Sequence, residues 1–466
     1  MSSKIQLDKS ERRALAAGVL PEGKAFLKLA VPLATAQIAQ FAVSFVDTIM
    51  MGRLNTASLA SGGLAASTFQ MALSVVTGFV LSVGVLAAEA YGANNKQRIT
   101  GLARQGMWLA LLIAVPFMVL MWNMTPVMRL LQQPEPVIVL AQTYFSWVSI
   151  GVLPALGFAM LRGYTSAFSL ANVVTAIVLV GTAFNIGCNY ILGFGKFGFP
   201  RMELAGFALG SALSLWLMLG LFMAYVLRHP VLSRYRFWRG WKHPNLGILR
   251  QLCAVGLPIA VTFMLELGMF AGISYMAGSL GTEVLAAHQI AFQSMAIIFM
   301  VPLGMSQAVT ARVGLWFGKG DRIGMRRAGF VAIAAAASFL AMSAIALYFC
   351  RSFMISLFID QNDPHNAAVV VLAMNLLLVS VVAQIVDGIQ RVTMNCLYGL
   401  QDTNVPMGMS AIAYWGIGLT TAYGLCFIMG WGAVGLWTGQ YIGVAVAGII
   451  FFWRFCWLTR RQAISQ

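Results

Sequence analysis

Acidic side chains are scarce in this chain. It has fourteen Asp and Glu in 466 residues, and charged residues of both signs make up only 9%, against roughly 25% in an ordinary soluble protein. With 60% hydrophobic residues, that scarcity excludes a disordered chain and weighs against a soluble enzyme of this size. Paired cysteines are missing as well. Cys188, Cys253, Cys350, Cys396, Cys426 and Cys456 show no CxxC spacing, and each sits in or at the end of an apolar run. Zinc and redox readings therefore fall away, leaving six small apolar residues among helices. His229, His243, His288 and His365 form no HExxH pattern, and no DDxxD cluster offers to hold Mg²⁺ and a diphosphate. Metalloprotease and prenyl-transfer chemistry are thereby excluded, as is a Ser–His–Asp hydrolase, and no repeated ring of residues suggests a channel filter. No enzyme is expected.

What the chain does have is basic charge, thirty Lys and Arg and a net +16. Such an excess belongs either to a nucleic-acid binder or to the cytoplasmic loops of a membrane protein, and its distribution decides. Apolar runs long enough to cross a bilayer as helix, about 20 residues, fall near 26–50, 59–87, 104–122, 137–160, 172–194, 204–227, 250–278, 285–312, 328–349, 369–397, 405–428 and 433–457. They show no barrel alternation, so the expected fold is all-α with twelve transmembrane helices. An even number of spans puts both termini on one side. With the polar N-terminal stretch inside, 25 of the 30 basic residues fall inside, Arg162 and Arg391 counted among them; only Arg53, Arg129, Lys196, Arg201 and Arg351 fall outside. The excess is thus read as loop charge facing lipid, not as a nucleic-acid surface.

The chain repeats itself. The shift in numbering that carries Pro32 to Pro258 also carries Gly52 to Gly278, Gly78 to Gly304 and Gly92 to Gly318, without a gap. Farther on, Gly206xxxGly210 echoes Gly435xxxGly439, a spacing that lets helices approach closely. Six spans per copy make a parallel repeat, an arrangement secondary transporters use. The expected organisation is a cytoplasmic tail at 1–24, an N-lobe at 25–228, a cytoplasmic linker at 229–249, a C-lobe at 250–457 and a tail at 458–466.

Eleven of the fourteen acidic residues, Glu22 among them, sit in tails, loops or span ends where they can reach water. Asp47, Glu266 and Asp387 lie inside apolar runs. A carboxylate in mid-membrane costs about 2.5 kcal/mol or more, so these three are functional candidates. Such a group can take up and release a proton, or hold Na⁺ with neighbouring oxygens. Glu266 and Asp387, both in the second half, could share one cation. Asn185 and Asn189, at i and i+4, share a face of the fifth span, and Gln37, Gln40, Gln289 and Gln293 are further polar residues within spans. Each of these can equally bond one helix to another. Met264 and Met269 with Phe263 and Phe270 surround Glu266 and would suit promiscuous ligands.

Several segments resemble the multidrug and toxic compound extrusion (MATE) transporters, specifically their NorM-like branch. They are LAVPLATAQIAQFAVSFVDTIMMGRL, NIGCNYILGFGKFGFP, GLPIAVTFMLELGMF, GTEVLAAHQIAF, ARVGLWFGKG and LYGLQDTNVP, in family order from about 25 to 455. The resemblance implies two pseudo-symmetric six-helix bundles in a V-shaped MATE fold. It implies efflux of cationic or amphiphilic drugs across the inner membrane, driven by H⁺ or Na⁺ and without a cofactor, by a monomer. On that resemblance Asp47 matches the N-lobe carboxylate, and Glu266 and Asp387 match a C-lobe cation site open to Na⁺. Asn185 and Asn189 match an N-lobe pair whose second member is often Asp, and Ala383 stands where many relatives have an aromatic. A lipid-linked precursor flippase of related fold is the alternative. It would favour a cationic interior, whereas the buried charge read from this sequence is acidic.

Overall fold

A computed structural model describes residues 18–54, 56–130, 132–235, 244–361 and 363–461. Most of the expected N-terminal tail, the basic residues Arg236, Arg239 and Lys242 of the linker, and the end of the C-terminal tail lie outside the described residues. Twelve helices are long and apolar enough to cross a membrane: α1 Val19–Gly52, α2 Ala60–Gly92, α3 Lys96–Trp122, α4 Glu135–Ala167, α5 Asn172–Gly193, α6 Glu203–Arg228, α7 Leu246–Ser279, α8 Thr282–Gly318, α9 Arg322–Ser356, α10 Pro364–Gly399, α11 Asn404–Ile428 and α12 Gly432–Arg460. No strand occurs among the described residues. The twelve expected spans are all present, and most run several residues longer than their apolar cores.

The helices form two compact units. An N-unit is Thr35–Ala260, and a C-unit is Val261–Gln466 joined by the stretch that ends at Ala34. The units therefore divide differently from the lobes drawn at 25–228 and 250–457. Hydropathy marks where the chain crosses, not which neighbours a helix packs on. Helix α1 changes unit after Ala34 and α7 after Ala260. These are equivalent positions of the repeat, each just past a proline, Pro32 or Pro258. A proline inside a helix removes one i→i−4 hydrogen bond and loosens that turn. The matched glycines serve these crossovers. In the N-unit a Cβ on Gly78 would stand 2.7 Å from the Ala260 backbone, and in the C-unit a Cβ on Gly304 would collide with the Ala34 backbone.

The turns repeat too. Between α2 and α3, Asn94 takes φ 54° and Asn95 Oδ1 accepts from the Arg98 backbone N–H at 3.0 Å. At the matching turn of the second copy, Gly320 takes φ 68° and Asp321 Oδ1 accepts from Gly324 N–H at 2.9 Å. A left-handed residue followed by a side-chain cap satisfies the first open N–H groups of the next helix. Both GxxxG spacings mark close backbone packing. Gly206 lies against the Leu192 backbone of α5, and Gly435 against the Leu425 backbone of α11.

Irregular helix turns have local causes. A 3₁₀ turn at Ser149–Gly151 splits α4 ahead of Pro154. Proline cannot bond the carbonyl four residues back, and Ile150 O accepts the Trp216 indole N–H instead, at 3.2 Å. Helix α5 ends in a π turn, Asn189–Gly193, a widening often found at functional sites.

Candidate functional site

Three expected residues converge in the N-unit. Asn189 Nδ2 donates to Asp47 Oδ1 at 2.7 Å and to Asn185 Oδ1 at 3.1 Å. Asn185 Nδ2 in turn donates to Ser211 Oγ of α6 at 3.3 Å. Asn185 and Asn189 are buried and Asp47 is partly so. The π turn begins at Asn189 and swings its amide toward α1. Gly210 gives it room, since a Cβ there would strike Asn189. The Asp47 carboxylate thus has a neutral amide, not a cation, as its hydrogen-bond partner. Asn189 Oδ1 is buried and accepts no hydrogen bond among the described residues.

Gln37 is buried as well, but it belongs to a different contact. Its Oε1 accepts from Arg162 Nη1 of α4 at 3.0 Å. Arg162 is therefore not loop charge. It lies within the span, more than a turn before the last residue of α4.

In the C-unit, Glu266 of α7 forms an ion pair with Arg391 of α10, through Oε1 and Nη2. Both side chains are buried, at 8% and 6% exposure. The guanidinium also lies over the Phe263 ring at 5.7 Å and the Phe299 ring at 5.4 Å, where a ring face attracts a cation. Asp387, buried at 6% exposure, sits one turn before Arg391 on the same helix face. The structure thus gathers Glu266 and Asp387 around a resident cation that the sequence reading counted with the inside loop charge. Arg391 lies two turns inside the end of α10, so the expectation of a purely acidic interior is corrected at two positions, Arg162 and Arg391. A buried pair is kept because removing one partner leaves a charge in low dielectric. Nearby, Gln390 Nε2 donates to Tyr414 Oη at 2.7 Å. Gln384, one turn before Asp387, is buried with neither amide atom bonded.

Gln289 stays apart, exposed on α8. Its neighbour His288 is the buried one, held between Ser274 Oγ at 2.9 Å and the Trp437 indole at 3.0 Å. Glu22 is another residue that sequence reading missed. It was counted as reaching water, yet it is buried and takes two bonds from Arg312, at 2.7 and 2.6 Å, and one from Trp316 at 3.1 Å. Among the described residues no three His, Cys, Asp or Glu side chains come together as a metal-ligand cluster.

A repeated fold with buried carboxylates inside twelve apolar helices defines a multi-pass membrane transporter, and the comparisons say of which kind. The MatE family model matches the chain twice, at 32–191 and 258–424; the two matches begin at Pro32 and Pro258. A probable multidrug resistance protein NorM of Synechococcus sp. is 46% identical over 95% of both chains. One of Synechocystis sp. is 42% identical over 94% of this chain and 95% of its own. Among solved structures, the eukaryotic MATE transporter AtDTX14 superposes with a TM-score of 0.83 at 19% identity, covering 96% of this chain and 99% of that one. A MATE in the straight conformation gives 0.84 at 20% identity, covering 95% and 97%. The chain belongs to the MatE family of membrane transporters, in its NorM-like branch, and is not an enzyme.

Proposed function

We propose that this chain is a multidrug efflux antiporter of the inner membrane, working as a monomer with both termini in the cytoplasm. It exports cationic and amphiphilic drugs in exchange for H⁺ or Na⁺. The relatives' names support drug export, and the charge layout supports the exchange mechanism. The single observation that carries it is the contrast in partners: Asp47 is held by the neutral amide of Asn189, whereas Glu266 is already matched by Arg391.

On this reading Asp47 and Asp387 are the carboxylates whose charge is open to an incoming cation. Glu266 exchanges its partner. A proton or Na⁺ reaching the C-unit cluster competes with the guanidinium, and Arg391 is released as the cation binds. In the outward-facing state cation uptake cancels the negative charge that holds a cationic drug, and the drug leaves. Facing inward, the cation departs and drug rebinds. The two ligands are coupled because each binds the two states unequally. A flippase reading has no such support. The relatives are named for drug resistance, and the guanidinium of Arg391 is matched by the Glu266 carboxylate.

The test is drug efflux in inside-out vesicles, using ethidium, with an imposed pH gradient compared with a Na⁺ gradient. One gradient should drive transport. Asp47→Asn and Asp387→Asn should each abolish its effect, and Glu266→Gln should weaken it. The assignment is wrong if all three variants keep wild-type efflux and wild-type cation dependence.

A further inference from the structure

Arg162 and Arg391 occupy equivalent places. The shift that superposes Gly206 on Gly435 carries Arg162 to Arg391, from α4 of the N-unit to α10 of the C-unit. In the C-unit the first helix of the repeat supplies a carboxylate, Glu266, to the guanidinium. By the shift that carries Pro32 to Pro258, its counterpart is Gln40. The residue that meets Arg162 is Gln37, one turn before it. The N-unit thus keeps the arginine and replaces the carboxylate with amides. Among the described residues Arg162 makes no ion pair, and its Nε is buried without a hydrogen-bond partner. A charged side chain within a span calls for a named counter-charge, and an uncompensated guanidinium presents a planar fork that matches a carboxylate at two oxygens.

We infer that Arg162 binds the carboxylate of zwitterionic substrates, with Gln37 fixing the guanidinium through its Oε1. The missing counter-charge of the N-unit is then carried in by the drug. This rests on the efflux reading above and adds an anionic half to the substrate chemistry, since a purely cationic drug has nothing to offer Arg162. A lipid phosphate is the other source of an anion for the same fork, and it would make no distinction between substrates.

The probes are a fluoroquinolone, zwitterionic at neutral pH, and its ethyl ester, which keeps the amine and masks the carboxylate. Their binding to the full-length protein in detergent is followed by ligand fluorescence, and their efflux is followed in vesicles. Wild-type protein should prefer the zwitterion. In Arg162→Gln the ratio of zwitterion to ester affinity should fall roughly ten-fold, the usual worth of a charge-assisted bond. Arg162→Lys, which keeps the charge but loses the fork, should fall between them and serves if the Gln variant does not fold. If wild-type protein binds both compounds equally, or the ratio is the same in all three proteins, the inference fails. Lipid phosphate on Arg162 gives that equal binding. Loss of efflux in wild-type vesicles with a preserved binding ratio would instead strike the efflux reading alone.

Discussion

The N-unit and the C-unit are built on one repeat, yet they treat buried charge in opposite ways. The C-unit pairs charge with charge: Glu266 with Arg391, and Glu22 with Arg312. In the N-unit two charges within spans have neutral partners, Asp47 with the Asn189 amide and Arg162 with the Gln37 carbonyl, while Glu89 near the end of α2 pairs with Arg98. In the repeat the Glu22 position is matched by Ile248, the Arg312 position by Leu86, and the Asp47 position by Ile273 of the C-unit. A charge matched by an amide stays open to an ion or a ligand. A charge matched by its opposite is released only when something competes. On the proposed reading an incoming charge meets open partners at Asp47 and Arg162 in the N-unit and at Asp387 in the C-unit, and must break an ion pair only at Glu266.

The sharpest way to break this comparison is to separate the C-unit pair. Arg391→Met or Glu266→Gln alone strands a buried partner, and each should lower stability by about 3–5 kcal/mol. Thermal unfolding of the detergent-purified protein measures it. The double variant should recover most of the loss, because the stranded charge is gone. Equal losses in the single and double variants would show that the pair carries no coupling.

A smaller effect is expected at Glu22. Its carboxylate is 3% exposed and Arg312 is 11% exposed, so water relieves the stranded charge in part. Glu22→Gln should cost about 2–4 kcal/mol by the same measurement. In the N-unit the corresponding change, Ile248→Gln at a partly exposed site, should cost well under half of that. Similar losses at both positions would erase the contrast between the units.

Much of this was legible in the sequence. Run length marked the twelve spans, and matched prolines and glycines marked the repeat, because both follow from backbone constraints that leave traces at fixed positions. Asp47, Glu266 and Asp387 stood out because a carboxylate inside an apolar run has no ordinary explanation. Arg162 and Arg391 did not stand out. A basic residue within two turns of the inner end of a span is ordinary, since its long side chain can reach the interface. The signal that would have found them is their coincidence under the shift that superposes Gly206 on Gly435. Glu22 was hidden for a related reason: it begins a helix, and only packing buries it. The exchange of helix starts between the units left no trace in hydropathy at all.

On the N-unit side, the amide on Asp47 is the partner to remove. Asn189→Ala deprives the carboxylate of its 2.7 Å donor and should cost about 1–3 kcal/mol. The more telling readout is the cation concentration that gives half-maximal efflux. It should shift in Asn189→Ala and hold steady in Trp437→Phe, whose change lies in the other unit. No shift in Asn189→Ala would mean that Asp47 does not bind the driving ion.

The smallest effect is expected at His288, where the C-unit relies on neutral bonds, as the N-unit does. An indole N–H only donates, so His288 Nδ1 accepts from Trp437 at 3.0 Å and the ring hydrogen sits on Nε2. Nε2–H donates to Ser274 Oγ at 2.9 Å, and Ser274 passes its own hydrogen to the Phe270 carbonyl at 3.0 Å. Every site on the ring is used, and the imidazole is held neutral. In the N-unit the equivalent positions are Gly62 and Ala208, so this bond belongs to one repeat only. Trp437→Phe keeps the ring and removes the single donor, and it should lower the unfolding midpoint by the equivalent of about 1 kcal/mol. On the proposed reading efflux should keep its pH dependence, because that reading gives the exchange of the driving ion to the carboxylates and not to this histidine. A changed pH profile in Trp437→Phe would place His288 among the coupling groups and narrow the gap between the two units.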